Sequence, residues 1–327
     1  MNKKVTISFL IAAGFYLSAC QKNIDVFVPE AGQLNGPDTS WYSTISSSMP
    51  ISQIKSDLSL ATYTDSIQAN TSTAYVLTPF GLQCGFPPLS FVSTSGQTIT
   101  GTVHIETMLI KKKGDMIRMN TPTTSYNRLL VSGGEVFIRA NKNGNPVLLA
   151  PGIQIFLRFP DVPLNPLMKY FIGDESNAER FNWLPESNTS SNTVSVGSQF
   201  YEISSNHLHW INCDYFYDTT SIARVTVKAD LANYFTNANT IVYTVFKDFR
   251  SVVGMYGDVN TRKFSTGKLP VGKAITVVVI SKQGNDYFLG TESTITVAPT
   301  SGPAEQSVLV KPVKKSLAEI ITFLNSL

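Results

Sequence analysis

The sequence predicts an all-β protein with two β-sandwich domains and a short C-terminal α-helix. Segments that alternate apolar and polar residues, such as Ile99–Thr107, recur from residue 75 onward. This period of two is typical of half-buried strands. Turn residues separate the segments at intervals of roughly ten positions, which favours a sandwich or a barrel. Near the end of the chain, Ser316–Glu319 has a capping-box pattern and opens an amphipathic segment, which predicts a helix over 313–327.

The first twenty residues have the pattern of a bacterial export signal. A basic start is followed by an apolar run that ends at Leu17, and small residues lead to Cys20. The run is too short to span a bilayer, so residues 1–19 are predicted to be a signal peptide. The segment Leu17-Ser18-Ala19-Cys20 resembles the lipobox of bacterial lipoproteins, and the resemblance implies cleavage before Cys20 and acylation of Cys20. An ordinary secretory signal with a chance cysteine is the alternative.

The lipobox resemblance also implies where the protein lies. Two or three acyl chains on Cys20 are sufficient for stable membrane attachment, and no second apolar stretch of the sequence is long enough to cross a bilayer. Residues Gln21–Asp25 resemble the short charged signals that direct Bacteroidetes lipoproteins to the cell surface. The resemblance implies an outer-membrane protein that faces outward, with the periplasmic face as the alternative.

The charge balance excludes one class of partner. The chain has 26 basic and 23 acidic residues, and removal of Lys3 and Lys4 with the signal peptide leaves 24 basic against 23 acidic. Domains that bind nucleic acid carry a clear excess of basic residues, so no nucleic-acid partner is expected. The expected partners are the membrane, through the lipid on Cys20, and an envelope protein or a glycan. No glycine-rich phosphate loop is present, and no cofactor is expected.

Residues 20–74 are predicted to be a Ser/Thr-rich tether. Serine, threonine, proline and glycine are frequent there and the apolar content is modest, which is typical of linkers. Within this segment Ile51, Ile54 and Leu58 recur at helical spacing, so a short helix is the alternative for that stretch. A loosely packed edge is the alternative to a tether for the rest of the segment.

The first sandwich is predicted over 75–220. Asn143-Gly144 between two apolar runs is typical of a tight hairpin turn. Residues 160–200, rich in proline, serine and asparagine, are interpreted as an elaborated connection that rejoins the sandwich. Further turn and strand segments are Pro79-Phe80-Gly81, Phe86-Pro87-Pro88, Ile99–Val103 and Ser132-Gly133-Gly134. Together these segments resemble a β-sandwich module of exported Bacteroidetes proteins that is related in layout to ZU5 domains. The resemblance implies an interaction or structural unit without catalytic residues.

Residues 221–312 are predicted to form the second sandwich. Several of its segments are rich in valine, isoleucine and threonine, and glycine-containing turns separate them. Leu269–Lys273, directly before a valine-rich run, resembles a turn of transthyretin-like and carboxypeptidase-regulatory-like modules. The resemblance implies a seven-stranded sandwich, Ig-like or transthyretin-like, and no active site.

Two cysteines remain after acylation of Cys20, and two arrangements are open for them. Cys84 and Cys213 can form a disulfide in an exported protein, or they can pack as separate buried thiols. The sequence favours neither arrangement.

His207 and His209 form the one candidate metal site. They are two positions apart, and residues i and i+2 of a strand point to the same face. Two imidazoles on one face, with Asp214 or Asp218 as a further ligand, are able to hold a transition metal. The alternative is a polar strand end, because no third ligand has a fixed spacing.

Trp210, Tyr215, Phe216 and Tyr217 form the densest aromatic cluster of the sequence. If exposed, these rings suit the stacking of a sugar or contact with a protein; if buried, they belong to the core, which their strand spacing favours. The segment Trp210–Asp214 also resembles a recurrent segment of Bacteroidetes outer-membrane lipoproteins of unknown function.

These observations favour a binding or structural protein of the cell envelope over an enzyme. The sequence has no Gly-x-Ser-x-Gly elbow and no His-Glu-x-x-His pair, and no catalytic residues are assigned. The leading hypothesis is a lipid-anchored, non-catalytic β-sandwich protein. The alternatives are a glycan-binding lipoprotein of a nutrient-uptake system and a pilin-like surface subunit, because Bacteroidetes fimbrillins also combine a lipobox with two transthyretin-like sandwiches.

Overall fold

Strands dominate the protein, so the all-β prediction is confirmed. The computed structural model describes residues 37–177, 180–187 and 191–327; the predicted signal peptide 1–19 and Cys20 lie outside the described residues. The helices are short: α1 (Pro50–Leu58), α2 (Lys113–Met119) and α3 (Leu317–Asn325). No helix in these described ranges has the length and apolar character that a bilayer span requires.

The strands up to residue 216 form two antiparallel sheets and a small ribbon. Their bounds are β1 (Tyr63–Ala69), β2 (Ala74–Leu77), β3 (Gln83–Phe86), β4 (Phe91–Val92), β5 (Gly101–Ile110), β6 (Thr124–Ser125), β7 (Arg128–Lys142), β8 (Asn145–Pro146), β9 (Leu148–Leu149), β10 (Ile155–Pro160), β11 (Lys169–Asp174), β12 (Asn182–Pro185), β13 (Thr193–Val196), β14 (Phe200–Ser205) and β15 (His209–Phe216). The larger sheet has the order β1-β5-β7-β15-β11-β12, with β6 and β8 paired to β7. The five-stranded sheet has the order β13-β14-β10-β3-β2, and β4 pairs with β9.

The two sheets face each other across an apolar core, so this region is a sandwich. Along β10, Ile155, Leu157 and Phe159 point into the first core and the alternate positions face outward, as the period of two requires. The hairpin predicted at Asn143-Gly144 is confirmed. Strands β7 and β8 pair on either side of this turn, and both turn residues have the positive φ that a tight two-residue loop needs.

The strands after residue 216 form the second sandwich. Their bounds are β16 (Arg224–Asp230), β17 (Thr240–Phe246), β18 (Val252–Asp258), β19 (Lys263–Pro270), β20 (Ala274–Gln283), β21 (Asp286–Ile295), β22 (Glu305–Leu309) and β23 (Val313–Lys315). They have the order β22-β16-β19-β18-β17-β20-β21-β23, and β22 runs parallel to β16. The first half of β18 pairs with β17 and its second half with β19. The sheet therefore folds over at β18 and encloses a second, valine-rich core.

The two sandwiches share a third apolar cluster, and residues 39–327 form one compact unit. Strands β17 and β20 are buried on both faces. Val242 and Val279 face the second core, whereas Tyr243 and Ile280 face the shared cluster. The three helices pack into the same cluster, together with side chains from the larger sheet of the first sandwich. Burial on both faces explains why these two strands are almost continuously apolar in sequence.

The C-terminal helix is confirmed, with a shorter span than the predicted 313–327. The Ser316 amide donates to the Glu319 carboxylate at 2.8 Å, and the Glu319 amide donates to the Ser316 hydroxyl at 3.2 Å, which completes the capping box. Ile320 and Leu324 are fully buried in the shared cluster. Because Ser316 caps the helix, the residues before it are free to form β23, which pairs with β21.

The tether predicted over 20–74 is wrong for residues 50–69, where the short helix given as the alternative is present as α1 and the strand β1 follows it. Helix α1 buries Ile54 and Leu58 completely, and β1 pairs along its full length with β5. Polar side chains occupy the exposed positions of β1, while Ile67 and Ala69 reach the first core. The tether was predicted from the modest apolar content of this segment. A half-buried edge strand has the same content, because it needs apolar residues only at alternate positions.

The elaborated connection of 160–200 contributes strands to both sheets. Strands β11 and β12 extend the larger sheet, and β13 extends the five-stranded sheet. Phe181 and Trp183 pack in the shared cluster. The connection thus rejoins the first sandwich and also helps to join it to the second.

Candidate functional site

The histidines and the aspartate predicted as metal ligands do not come together. His207 Nε2 lies 3.8 Å from Glu186 Oε2 and His209 Nδ1 lies 3.4 Å from Glu175 Oε2, whereas Asp214 is fully buried. Strand β15 begins only at His209, and the φ of +70° at this residue breaks the alternation on which the prediction depended. Across the described ranges, no group of three His, Cys, Asp or Glu side chains is placed to hold a metal ion.

Cys84 and Cys213 are separate buried thiols, the second of the two arrangements considered. Both lie in the first core, Cys84 on β3 of the five-stranded sheet and Cys213 on β15 of the larger sheet. Burial raises the pKa of the Cys84 thiol to about 12 and the pKa of the Cys213 thiol well above its ordinary value. Both thiols are therefore protonated at neutral pH and pack as small apolar groups.

Trp210 lies in the protein interior, whereas Tyr215, Phe216 and Tyr217 of the predicted aromatic cluster are half-buried. Trp210 is 5% exposed, and its ring centroid lies 6.3 Å from that of Trp183 in the shared cluster. Tyr217 stacks on Phe249 with ring centroids 4.9 Å apart, and Tyr215 packs against the first core. A ligand-contact role for Trp210 is therefore wrong, because its ring is covered by protein on the shared-cluster side.

Two buried carboxylic acids lie on neighbouring strands, a feature that the sequence did not reveal. Glu135 on β7 and Asp214 on β15 have no exposed surface. Burial raises the pKa of Glu135 well above its ordinary value; the Thr121 hydroxyl, which donates to Glu135 Oε2 at 2.5 Å, opposes this shift and the charge of Asp214 adds to it. Burial likewise raises the pKa of Asp214 to about 7, although polar contacts with Ser132 and Asn212 lower it. Paired carboxyls can act as general acid and base, but a substrate has no access to fully buried groups, so we assign this pair a structural role.

The outer face of the five-stranded sheet carries exposed aromatic side chains. We call this surface the aromatic face and define it by Tyr75 and Leu77 of β2, Gly85 of β3 and Phe156 of β10. The exposed fractions are 65% for Tyr75, 62% for Leu77 and 56% for Phe156. The strand register places Tyr75, Gly85 and Phe156 in one row across the sheet. The ring of Tyr75 occupies the space above Gly85, because a Cβ at position 85 would lie 3.1 Å from Tyr75 Cε1.

Polar side chains border the aromatic face. Gln83, Arg158 and Glu202 lie in the next row of the sheet, beside Leu77. The Arg158 guanidinium lies 3.3 Å from the ring centroid of Phe200, and Arg158 Nε lies 3.9 Å from Glu202 Oε1. Apolar ring surface beside a few hydrogen-bonding groups is typical of ligand-binding surfaces.

The sequence matches no protein-family model, and no curated protein is significantly similar to it. The candidate site therefore rests on the geometry of this chain. The sequence held a partial signal for it: Phe156 occupies an outward position of an alternating strand, where a polar residue is usual. Tyr75 and Gly85 carried no such signal, because their contact depends on the pairing of β2 with β3.

Proposed function

We propose that the protein is a lipid-anchored binding protein of the bacterial outer membrane, without catalytic activity, whose sandwiches face the cell exterior. The lipobox-like segment that ends at Cys20 supports the anchor. The aromatic face carries the proposal of a binding role, because Tyr75, Leu77 and Phe156 are each more than half exposed on one sheet surface. Contiguous exposed apolar surface, unlike single scattered side chains, is typical of interaction sites.

A neutral glycan is the ligand that best fits the aromatic face. A sugar ring packs its C–H groups against an aromatic ring, and its peripheral hydroxyls form hydrogen bonds with polar side chains nearby. The ring of Tyr75 above Gly85 supplies the first kind of contact, and Gln83 and Arg158 in the adjacent row supply the second. This arrangement supports the glycan-binding alternative at a place different from the Trp210 cluster.

Removal of the two aromatic rings is expected to weaken glycan binding more than tenfold. Tyr75→Ala combined with Phe156→Ala removes both stacking surfaces, and aromatic side chains at the centre of an interface commonly contribute more than 1 kcal/mol each. A glycan array identifies the ligand, and calorimetry with that glycan measures the affinity. Tyr42→Ala removes a partly exposed ring elsewhere and is the matched control.

Gly85→Ala is the second test of the aromatic face. It keeps both rings but places a methyl group 3.1 Å from Tyr75 Cε1, so the ring must move. We expect weaker binding with unchanged folding, because the backbone at Gly85 has an ordinary conformation. Wild-type affinity in the double variant, or an array without any bound glycan, would contradict glycan binding by this face.

The lipid anchor makes a separate prediction about location. Cys20→Ala removes the acylated side chain, so we expect the protein to move from the membrane fraction to the soluble fraction. Gln21→Ala, at the neighbouring position, is expected to leave the protein in the membrane fraction. Protease treatment of intact cells then tests the outward orientation, since an outward-facing chain is cut and a periplasmic chain is protected. Retention of the Cys20→Ala variant in the membrane fraction would disprove the anchor.

A further inference from the structure

A groove of about 560 Å³ lies at the junction of the two sandwiches. One wall is the turn between β6 and β7, residues 126–127, with the first residue of β7, Arg128. The other walls include residues 256–258 of β18 and 265–268 of β19. None of the residues of the aromatic face lines it. Its volume lies within the range of small-molecule binding sites, about 300–1,000 Å³.

The lining of the groove is strongly cationic. Arg128, Arg180, Arg224 and Lys268 line it together with a single carboxylate, Asp258. Asp258 Oδ1 already accepts two backbone amides of its own turn, at 2.8 and 2.9 Å. Among the described residues, no ion pair includes any of the four cations, although the pKa of Asp258 is lowered mainly by the backbone amides of its turn and further by the charge of Arg180. Because the basic and acidic residues of the predicted mature chain nearly balance, this surplus is a local feature that suits an anionic ligand.

Two of the arginines are held in place by aromatic rings. The Arg128 guanidinium lies 3.7 Å from the ring centroid of Phe216, and the Arg180 guanidinium lies 4.9 Å from that of Tyr256. Stacking fixes the plane of a guanidinium and leaves its in-plane N–H groups free to bind a carboxylate or a sulfate with two hydrogen bonds. Both guanidinium groups are therefore already oriented before a ligand binds.

Tyr126 adds an aromatic surface at the rim of the groove. Its side chain is 68% exposed, the largest exposed fraction among the aromatic side chains named above. Its backbone has a φ of +46°, an unusual value for a bulky residue, and its amide donates to Asn182 Oδ1 at 2.9 Å, which holds the turn. An exposed ring beside cationic groups suits a ligand that carries both a ring and negative charge.

We propose that the groove binds an acidic oligosaccharide, a glycan that bears carboxylate or sulfate groups. The guanidinium groups of Arg128, Arg180 and Arg224 bind the anionic substituents, and the ring of Tyr126 stacks on a sugar ring. This site shares no residue with the aromatic face, so it extends the proposed function and does not depend on it. A nucleic acid is the other polyanion of similar charge, and the near balance of basic and acidic residues in the chain argues against it.

The test compares four probes by calorimetry on the full chain: an oligogalacturonate, a sulfated dextran oligosaccharide, a neutral dextran oligosaccharide of equal length and an oligothymidylate of equal charge. We expect at least one acidic oligosaccharide to bind, with an affinity that falls as the ionic strength rises. Arg128→Gln with Arg224→Gln should weaken this binding about hundredfold, since each charged hydrogen-bonding group contributes roughly a factor of ten or more. Arg262→Gln, an exposed arginine outside the groove, is the matched control and should bind as the wild type does.

Arg224→Gln alone serves as a second variant, because Arg128 also covers Phe216 and its loss affects packing. Equal affinity of the wild type and both groove variants would overturn the proposal. Absence of binding by both acidic oligosaccharides, or binding of oligothymidylate as tight as theirs, would also overturn it. Tyr75→Ala with Phe156→Ala should leave the binding of acidic probes unchanged, so failure of the groove and failure of the aromatic face give different results.

Discussion

Replacement of Gly114 with alanine is expected to destabilise the protein by about 3 kcal/mol or more. Helix propensity alone predicts the opposite, since alanine is about 1 kcal/mol better than glycine inside a helix. A Cβ at position 114 of α2, however, would lie 1.7 Å from the backbone carbonyl oxygen of Leu324 in α3. A backbone atom cannot turn aside as a side chain can, so α3 must move away from α2.

The displacement of α3 has a cost because this helix closes the shared cluster. Ile320 and Leu324 are fully buried there, and each buried side chain of this size contributes about 1.5–3 kcal/mol. The free-energy cost of partly exposing both side chains is therefore larger than the free energy gained from the better helix propensity of alanine. Urea denaturation of the wild type and the Gly114→Ala variant measures the difference, and proteolysis near Leu327 reports whether α3 has left its site.

Gly267→Ala is the matched control for this prediction. It adds the same methyl group at a glycine whose nearest neighbouring atom is 3.5 Å away, at an ordinary backbone conformation. We expect a small change in its free energy of unfolding. A Gly114→Ala variant that is as stable as the wild type would mean that the close approach of α2 and α3 does not exist in solution.

The parts of the fold that were predictable are those in which local pattern and tertiary role agree. Strand β10 alternates because one face meets the core, and α3 begins at Ser316 because the capping box is a local arrangement. Helix α2 was not predicted, because only tertiary packing brings its apolar residues Met116 and Ile117 into the shared cluster. Strand β1 was assigned to the tether because its polar residues resemble a linker, although pairing with β5 gives them a place on a sheet.

The candidate surfaces depend on contacts between residues that are far apart in the chain, and these contacts could not be predicted from the sequence. The aromatic face requires Tyr75 to pair with Gly85, and the groove requires Arg128 of the first sandwich to lie near Lys268 of the second. Residue types gave no sign of either contact, because exposed tyrosines and arginines also occur on surfaces that bind no ligand. The Trp210 cluster shows the converse: the run is dense in aromatic residues, but Trp210 is core and Tyr215, Phe216 and Tyr217 are half-buried against the apolar clusters.

The stability of the protein is expected to fall as the pH rises from about 4 to about 7, through the buried acids Glu135 and Asp214. The pKa of Asp214 is about 7 in the folded protein, against 3.8 for the ordinary side chain, because burial disfavours its charged form. Between these values the unfolded chain releases a proton that the folded chain retains, so rising pH favours unfolding. A shift of about three pKa units corresponds to roughly 4 kcal/mol, lost progressively over this interval. The raised pKa of Glu135 acts in the same direction.

Asp214→Asn isolates this contribution, because an amide occupies nearly the same volume and does not ionise. Denaturation at pH 4.5, 6.0 and 7.5 should give the variant a stability that, relative to the wild type, increases with pH by up to about 4 kcal/mol. Glu292→Gln removes an exposed carboxylate as the control and should follow the wild type. Parallel curves for the wild type and Asp214→Asn would mean that Asp214 is ionised in the folded protein. Water or a counterion would then have to reach β15, and the structural role assigned to the two acids would give way to an accessible site.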